Sequence, residues 1–122
     1  MPSELLIAVV DDDDSFRMAL VEALGLLGYR AHGFASAEDF IASEERASCS
    51  CVITDIHMPG MSGLDLGRLL ARERRGVPVL MVTARSDLGI DARAAASGAI
   101  CVLRKPFKME VLIECLEKAL NS

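Results

Sequence analysis

Tryptophan is absent from the 122 residues, tyrosine occurs once and phenylalanine four times. Apolar residues nevertheless make up 52% of the chain, so the core has to be built from Val, Ile, Leu, Met and Ala. Basic clusters are also missing: nothing is longer than Arg72, Arg74 and Arg75, and the net charge is −5. That argues against direct nucleic-acid binding by this chain. No apolar run approaches the length of a membrane span, and the opening MPSELL is acidic rather than basic. Neither a signal peptide nor a membrane segment is expected. The four cysteines, Cys49, Cys51, Cys101 and Cys115, lack the spacing of a metal site. Cys51 and Cys101 lie inside apolar runs, where a free thiol behaves as a small hydrophobe, so a reduced cytoplasmic protein is expected. There is no internal repeat, linker or low-complexity stretch, and the length predicts a single domain over residues 1–122.

What is present is a set of short aliphatic runs, each broken by a polar or charged residue. Leu5 to Val10 reads as a buried strand ending in four acids, Asp11 to Asp14. Ser15 to Leu27 then carries Phe16, Ala19, Leu20, Ala23, Leu24 and Leu27 at helical spacing, with Asp14 or Ser15 able to cap its start and Gly28 to close it. Arg30 to Phe34 is a more polar strand, predicted towards an edge. Ser36 can cap a helix from Ala37 to about Glu45. Cys51 to Thr54 is a third strand, ending at Asp55, and Pro59, Gly60 and Gly63 break the chain into a loop. A helix from about Leu64 to Arg74, a strand from Val79 to Val82 and an alanine-rich helix from about Asp87 to Ala96 follow. Ile100 to Leu103 is the fifth strand, and a last helix runs from about Lys108 to Leu120, with Met109, Leu112, Ile113, Leu116 and Leu120 on one face. Met18 on the first helix, and Val111 with Cys115 on the last, point away from the core stripes as surface apolars. Strands alternating with helices predict an α/β doubly wound domain, a parallel sheet covered on both faces.

Right-handed crossovers bring every strand's carboxyl end to one edge of such a sheet. Asp11 and Asp12 follow the first strand, Asp55 the third, Thr83 the fourth and Lys105 the fifth. Three carboxylates at one point repel unless a cation sits among them, and carboxylates with water suit Mg²⁺. A lysine and a hydroxyl facing the same place add a fixed positive charge and a donor. A metal, a cation and a donor are what a phosphoryl group needs around its oxygens.

With those residues in view, the chain resembles a receiver domain of the two-component response-regulator family (CheY-like) over its whole length. VVDDDDSF, TDIHMPGMSG, VTAR and RKPF occur in the family's order. The resemblance implies a (βα)5 flavodoxin-like sandwich with strand order 2-1-3-4-5. It implies Asp55 as phospho-acceptor, Asp12 as direct metal ligand, Asp11 as the acid binding through water, and the backbone carbonyl of His57 as third protein ligand. Thr83 and Lys105 would hold the phosphoryl oxygens, Ala84 would leave their approach open, and Lys105–Pro106 would be a cis peptide. The lone imidazole of His57 is read as incidental, and Asp13 and Asp14 as helix caps.

The implied function is a phosphorylation-dependent switch rather than a turnover enzyme. Its donor would be a histidine kinase or a histidine phosphotransfer protein, its cofactor Mg²⁺, and homodimerisation or an output domain its further possibilities. One departure stands out. Receivers usually carry Tyr or Phe three residues before the site lysine, a ring that swings inward as the threonine moves, and here that position is Val102. Two other functions compete: a pseudo-receiver that takes no phosphate, against which the complete acid, Thr and Lys set argues, and a haloacid-dehalogenase-like phosphatase. The second wants its nucleophile after the first strand and another Asp two residues on, whereas the position two after Asp55 is His57.

Overall fold

The computed structural model describes residues 5–73, 76–84 and 89–121. Five strands form one parallel sheet in the order β2-β1-β3-β4-β5: β1 (Leu6–Val10), β2 (Arg30–Phe34), β3 (Cys51–Asp55), β4 (Val79–Thr83) and β5 (Ala99–Arg104). The helices are α1 (Asp14–Leu26), α2 (Ala37–Ile41), α3 (Gly63–Ala71), α4 (Ile90–Ala96) and α5 (Met109–Leu120), with a 3₁₀ turn at Glu44–Ala47. No helix among the described residues is long and apolar enough to cross a membrane.

Every residue of β1, β3 and β4 is buried, which is why these strands read as unbroken apolar runs rather than alternating ones. Alternate side chains still go to different faces. Ile7, Val9, Cys51, Ile53, Leu80 and Val82 pack under α1 and α5, against Leu20, Leu24, Leu112 and Leu116. Leu6, Ala8, Val10, Val52, Val79 and Met81 pack under α2, α3 and α4, against Phe40, Leu66, Leu70 and Ile90. β2 is only half-buried, as its polar sequence predicts for an edge. β5 occupies the other edge, and its pairing with β4 skips Ile100, passing from Val79–Ala99 to Leu80–Cys101. That bulge turns both Ile100 and Cys101 towards the α1/α5 side.

Several local expectations are corrected. Of the acids read as caps, Asp13 does cap α1, its side chain accepting from the Phe16 amide at 3.1 Å, whereas Asp14 lies in the first turn and Ser15 after it. The helix runs to Leu26 with Leu27 as its cap, and Gly28 closes it as expected, taking φ +99° while the Tyr29 amide donates to Leu24 O at 3.0 Å. That left-handed step is the reason for glycine there. Helix α2 stops at Ile41, where the Ser43 hydroxyl donates to the Phe40 carbonyl at 2.6 Å, and the chain tightens into the 3₁₀ turn. α3 begins one residue early, on a reciprocal cap between Ser62 and Asp65. It ends at Ala71 with Arg72 as its cap, short of the expected Arg74, and α4 starts at Ile90 after Gly89, later than the expected Asp87; Arg74 and Asp87 themselves lie outside the described residues. Cys115 is not a surface residue. The buried stripe of α5 is Leu112, Cys115, Leu116 and Ala119, rotated from the expected one, so that Met109 at its start is exposed. Met18 and Val111 are exposed, as expected.

Candidate functional site

The pairing registers decide what meets at the carboxyl edge. Val10 is level with Thr54, Asp55 with Val82, and Thr83 with Arg104. Asp11, one step past β1, therefore sits beside the end of β3, and Lys105 leaves β5 just beyond Thr83. Carboxylate oxygens of Asp11, Asp12 and Asp55 all lie within 4.8 Å of one another. Lys105 Nζ is 3.0 Å from Asp11 Oδ2 and 3.8 Å from Asp55 Oδ2. Thr83 is fully buried, Ala84 is exposed beside it, and the Lys105–Pro106 bond is cis.

Each acid has a different environment. Asp11 is 1% exposed and is satisfied by the ammonium of Lys105 and by the Asp13 amide, which donates to its Oδ1 at 2.9 Å. Asp12 faces solvent. Asp55 is 8% exposed, and its burial is the largest influence raising its carboxyl above the ordinary range. The charge of Asp11 adds to that rise and Asp12 contributes a little more, while Lys105 and the His57 amide, which donates to Oδ1 at 3.4 Å, oppose it. A hard divalent cation favours clustered carboxylate oxygens and relieves their repulsion, so the donor set fits Mg²⁺.

The loop after Asp55 is fixed by close contact. A Cβ at Gly63 would lie 2.2 Å from the backbone oxygen of Asp55, so only glycine lets α3 begin against the end of β3. From α2, the Glu38 carboxylate accepts from the Met61 amide at 2.9 Å, which holds its carboxyl below the ordinary range.

Three residues at or beside the site escaped the sequence reading. Glu38 is one. Arg17 is another: it donates to the Asp11 carbonyl at 2.7 Å and to Asp14 Oδ1 at 2.6 Å. The Asp14–Arg17 spacing of three was the available signal. The third is Phe16, whose ring centroid lies 4.0 Å from Lys105 Nζ; its helical spacing marked it only as core.

The family model described as "Response regulator receiver domain" matches residues 7–117. The chain belongs to this family. As a receiver domain it is a phosphorylation-dependent switch of a two-component system, a signalling module and not a turnover enzyme. Among curated relatives, the response regulator protein TmoT of Ectopseudomonas mendocina is 35% identical over 118 residues, covering 97% of this chain and 54% of the relative. The receiver thus spans about half the length of this and similar curated relatives. Among solved structures, FixJ-N is 30% identical with a TM-score of 0.87, covering 98% of this chain and 96% of that one. The BeF3-activated receiver domain of DrrB, a Thermotoga maritima protein, is also 30% identical at 0.87, with coverages of 98% and 100%. A receiver domain implies a cognate histidine kinase.

Proposed function

We propose that Asp55 accepts the phosphoryl group, from a phosphohistidine on a histidine kinase or phosphotransfer protein, with Mg²⁺ held by Asp11, Asp12, Asp55 and the His57 carbonyl. One observation carries the reading: of the three clustered acids, Asp55 alone is both close to Lys105 and at a strand end beside Thr83. Asp11 already holds Lys105 at 3.0 Å and the Asp13 amide, and Asp12 is solvated. When bound, Mg²⁺ supplies neutralising charge to the carboxylates and the phosphoryl oxygens. An Asp55 oxygen attacks phosphorus as the bond to the histidine nitrogen breaks, and the released imidazole keeps the electron pair. Lys105 and the Thr83 hydroxyl take the phosphoryl oxygens, and Ala84, lacking bulk, leaves room for them. Burial first, and the charge of Asp11 after it, disfavour the ionised Asp55 carboxylate, and a bound Mg²⁺ would offset both. We take residues 1–122 as one such domain, acting in the cytoplasm.

The test uses phosphoramidate, a small donor with a phosphorus–nitrogen bond, and Mg²⁺. Intact mass should rise by one phosphoryl group, and Asp55→Asn should stay unmodified. Equal modification of the Asn variant would remove Asp55 from the role.

A further inference from the structure

The ammonium of Lys105 has more than carboxylates around it. Phe16, on the first turn of α1, presents its ring with the centroid 4.0 Å from Nζ. The same ring meets Phe107 edge-to-face, at 6.0 Å between centroids and 82° between planes. Phe107 stands two residues after Lys105, across the cis bond to Pro106. One ring therefore touches both the ammonium and the loop that carries it. We propose that Phe16 is a positioning residue for Lys105, an aromatic platform that keeps the ammonium aimed at Asp11 and Asp55. The proposal rests on the reading that Lys105 serves phosphoryl transfer to Asp55.

Chemistry explains the need. A lysine carries four rotatable bonds, and fixing its end costs conformational entropy. Carboxylates could fix it, but each one spends an N–H donor that the phosphoryl oxygens need. A ring face attracts the cation through its quadrupole and takes no donor. Asp11 accepts one N–H at 3.0 Å, and Asp55 lies at 3.8 Å. Lys105 already borders an open apolar groove that Phe16, Ala19, Leu20 and Met109 also line, and without the ring the ammonium could turn there to water. Phe16 also packs, half-buried, on the α1/α5 core, so the competing role is that of an apolar filler. The two roles separate by substitution: leucine keeps the apolar bulk and loses the ring, and tyrosine keeps both.

Two measurements are made on the wild type, Phe16→Leu and Phe16→Tyr. The first is the NMR signal of the Lys105 ε-methylene, assigned by its loss in Lys105→Arg. A ring this near should shift that signal upfield in the wild type and Phe16→Tyr, and Phe16→Leu should return it to the ordinary lysine position. The second is the rate of phosphorylation by phosphoramidate at saturating Mg²⁺. Phe16→Leu should slow it roughly two- to fivefold, and Phe16→Tyr should restore it to near the wild-type rate. An unshifted Lys105 signal in the wild type, a Leu variant as fast as the wild type, or a Tyr variant as slow as Leu would each overturn the proposal. A wild type that takes no phosphate overturns the reading of Asp55 instead, and the Lys105 signal then decides the contact by itself.

Discussion

Lys105 Nζ stands 3.0 Å from Oδ2 of Asp11, closer than to the proposed acceptor Asp55 at 3.8 Å. Asp11 is 1% exposed, so the lysine neutralises the most deeply buried charge of the site. Removing one member of such a pair leaves the other charged and poorly solvated. Lys105→Met is therefore expected to destabilise the protein by about 1–3 kcal/mol in urea denaturation, with Mg²⁺ recovering part of the loss. Unchanged stability would mean that the pair is not maintained in solution.

Mg²⁺ should raise the melting temperature, by roughly 3–6 °C at ten times its dissociation constant, and Asp12→Ala should remove the rise. The pH dependence has a definite sign. The Asp55 carboxyl is raised above its ordinary 3.8, chiefly by burial and then by Asp11. Between 3.8 and the raised value the folded state binds more protons than the unfolded one, so this group's contribution to stability falls as pH rises. Mg²⁺ competes with that proton. Its stabilising increment should grow as pH rises through the same window and level off above it. A thermal-shift series over pH checks this, and an increment largest at the acid end would contradict it.

Met18 is 68% exposed on α1, which begins directly from the site acids. A donor histidine must come within a few ångströms of Asp55, so its protein is expected to cover this helix. Met18→Glu is expected to slow transfer from the cognate kinase about tenfold, the effect of an uncompensated charge in an apolar contact, while phosphoramidate reacts as before. Equal slowing with both donors would place the damage in the site.

Val102 stands where receivers usually carry a ring, half-buried against the core under α2, α3 and α4. A β-branched side chain has few χ1 choices and cannot sweep a ring's volume. The consequence of phosphorylation is then expected in α4, seven residues long and held by Ile90 and Ala94, after a Gly89 with φ +81°. Hydrogen exchange with and without beryllofluoride should change from residue 84 to 97 and little at Val102. A response confined to β5 would refute this route.

The sheet and its acids were readable because they rest on chain-level physics. Strands buried on both faces must be continuous in apolar residues, and β1, β3 and β4 are. A parallel sheet must gather its strand ends, so Asp11, Asp12, Asp55, Thr83 and Lys105 converge whatever the details of packing. Less was readable where apolarity is spread around a helix. In α5 nearly every turn offers two candidate stripes, and Cys115 lies on the one that the sheet selected. α2 ends at Ile41, and both the amide and the hydroxyl of Ser43 bond back to the Phe40 carbonyl, a tightening that apolar spacing does not announce. Phe16, Arg17 and Glu38 were not readable as parts of the site, because their contacts join residues 89, 6 and 23 positions apart by side-chain geometry alone.

The most direct measurement is chemical location of the phosphoryl group. An aspartyl phosphate is an acyl phosphate, and borohydride reduces it to homoserine at the modified position. After reaction with phosphoramidate and Mg²⁺, followed by reduction and peptide mass spectrometry, homoserine should stand at position 55 and at no other acid. Homoserine at position 11 or 12, or phosphate that resists reduction on a serine or threonine, would contradict the account.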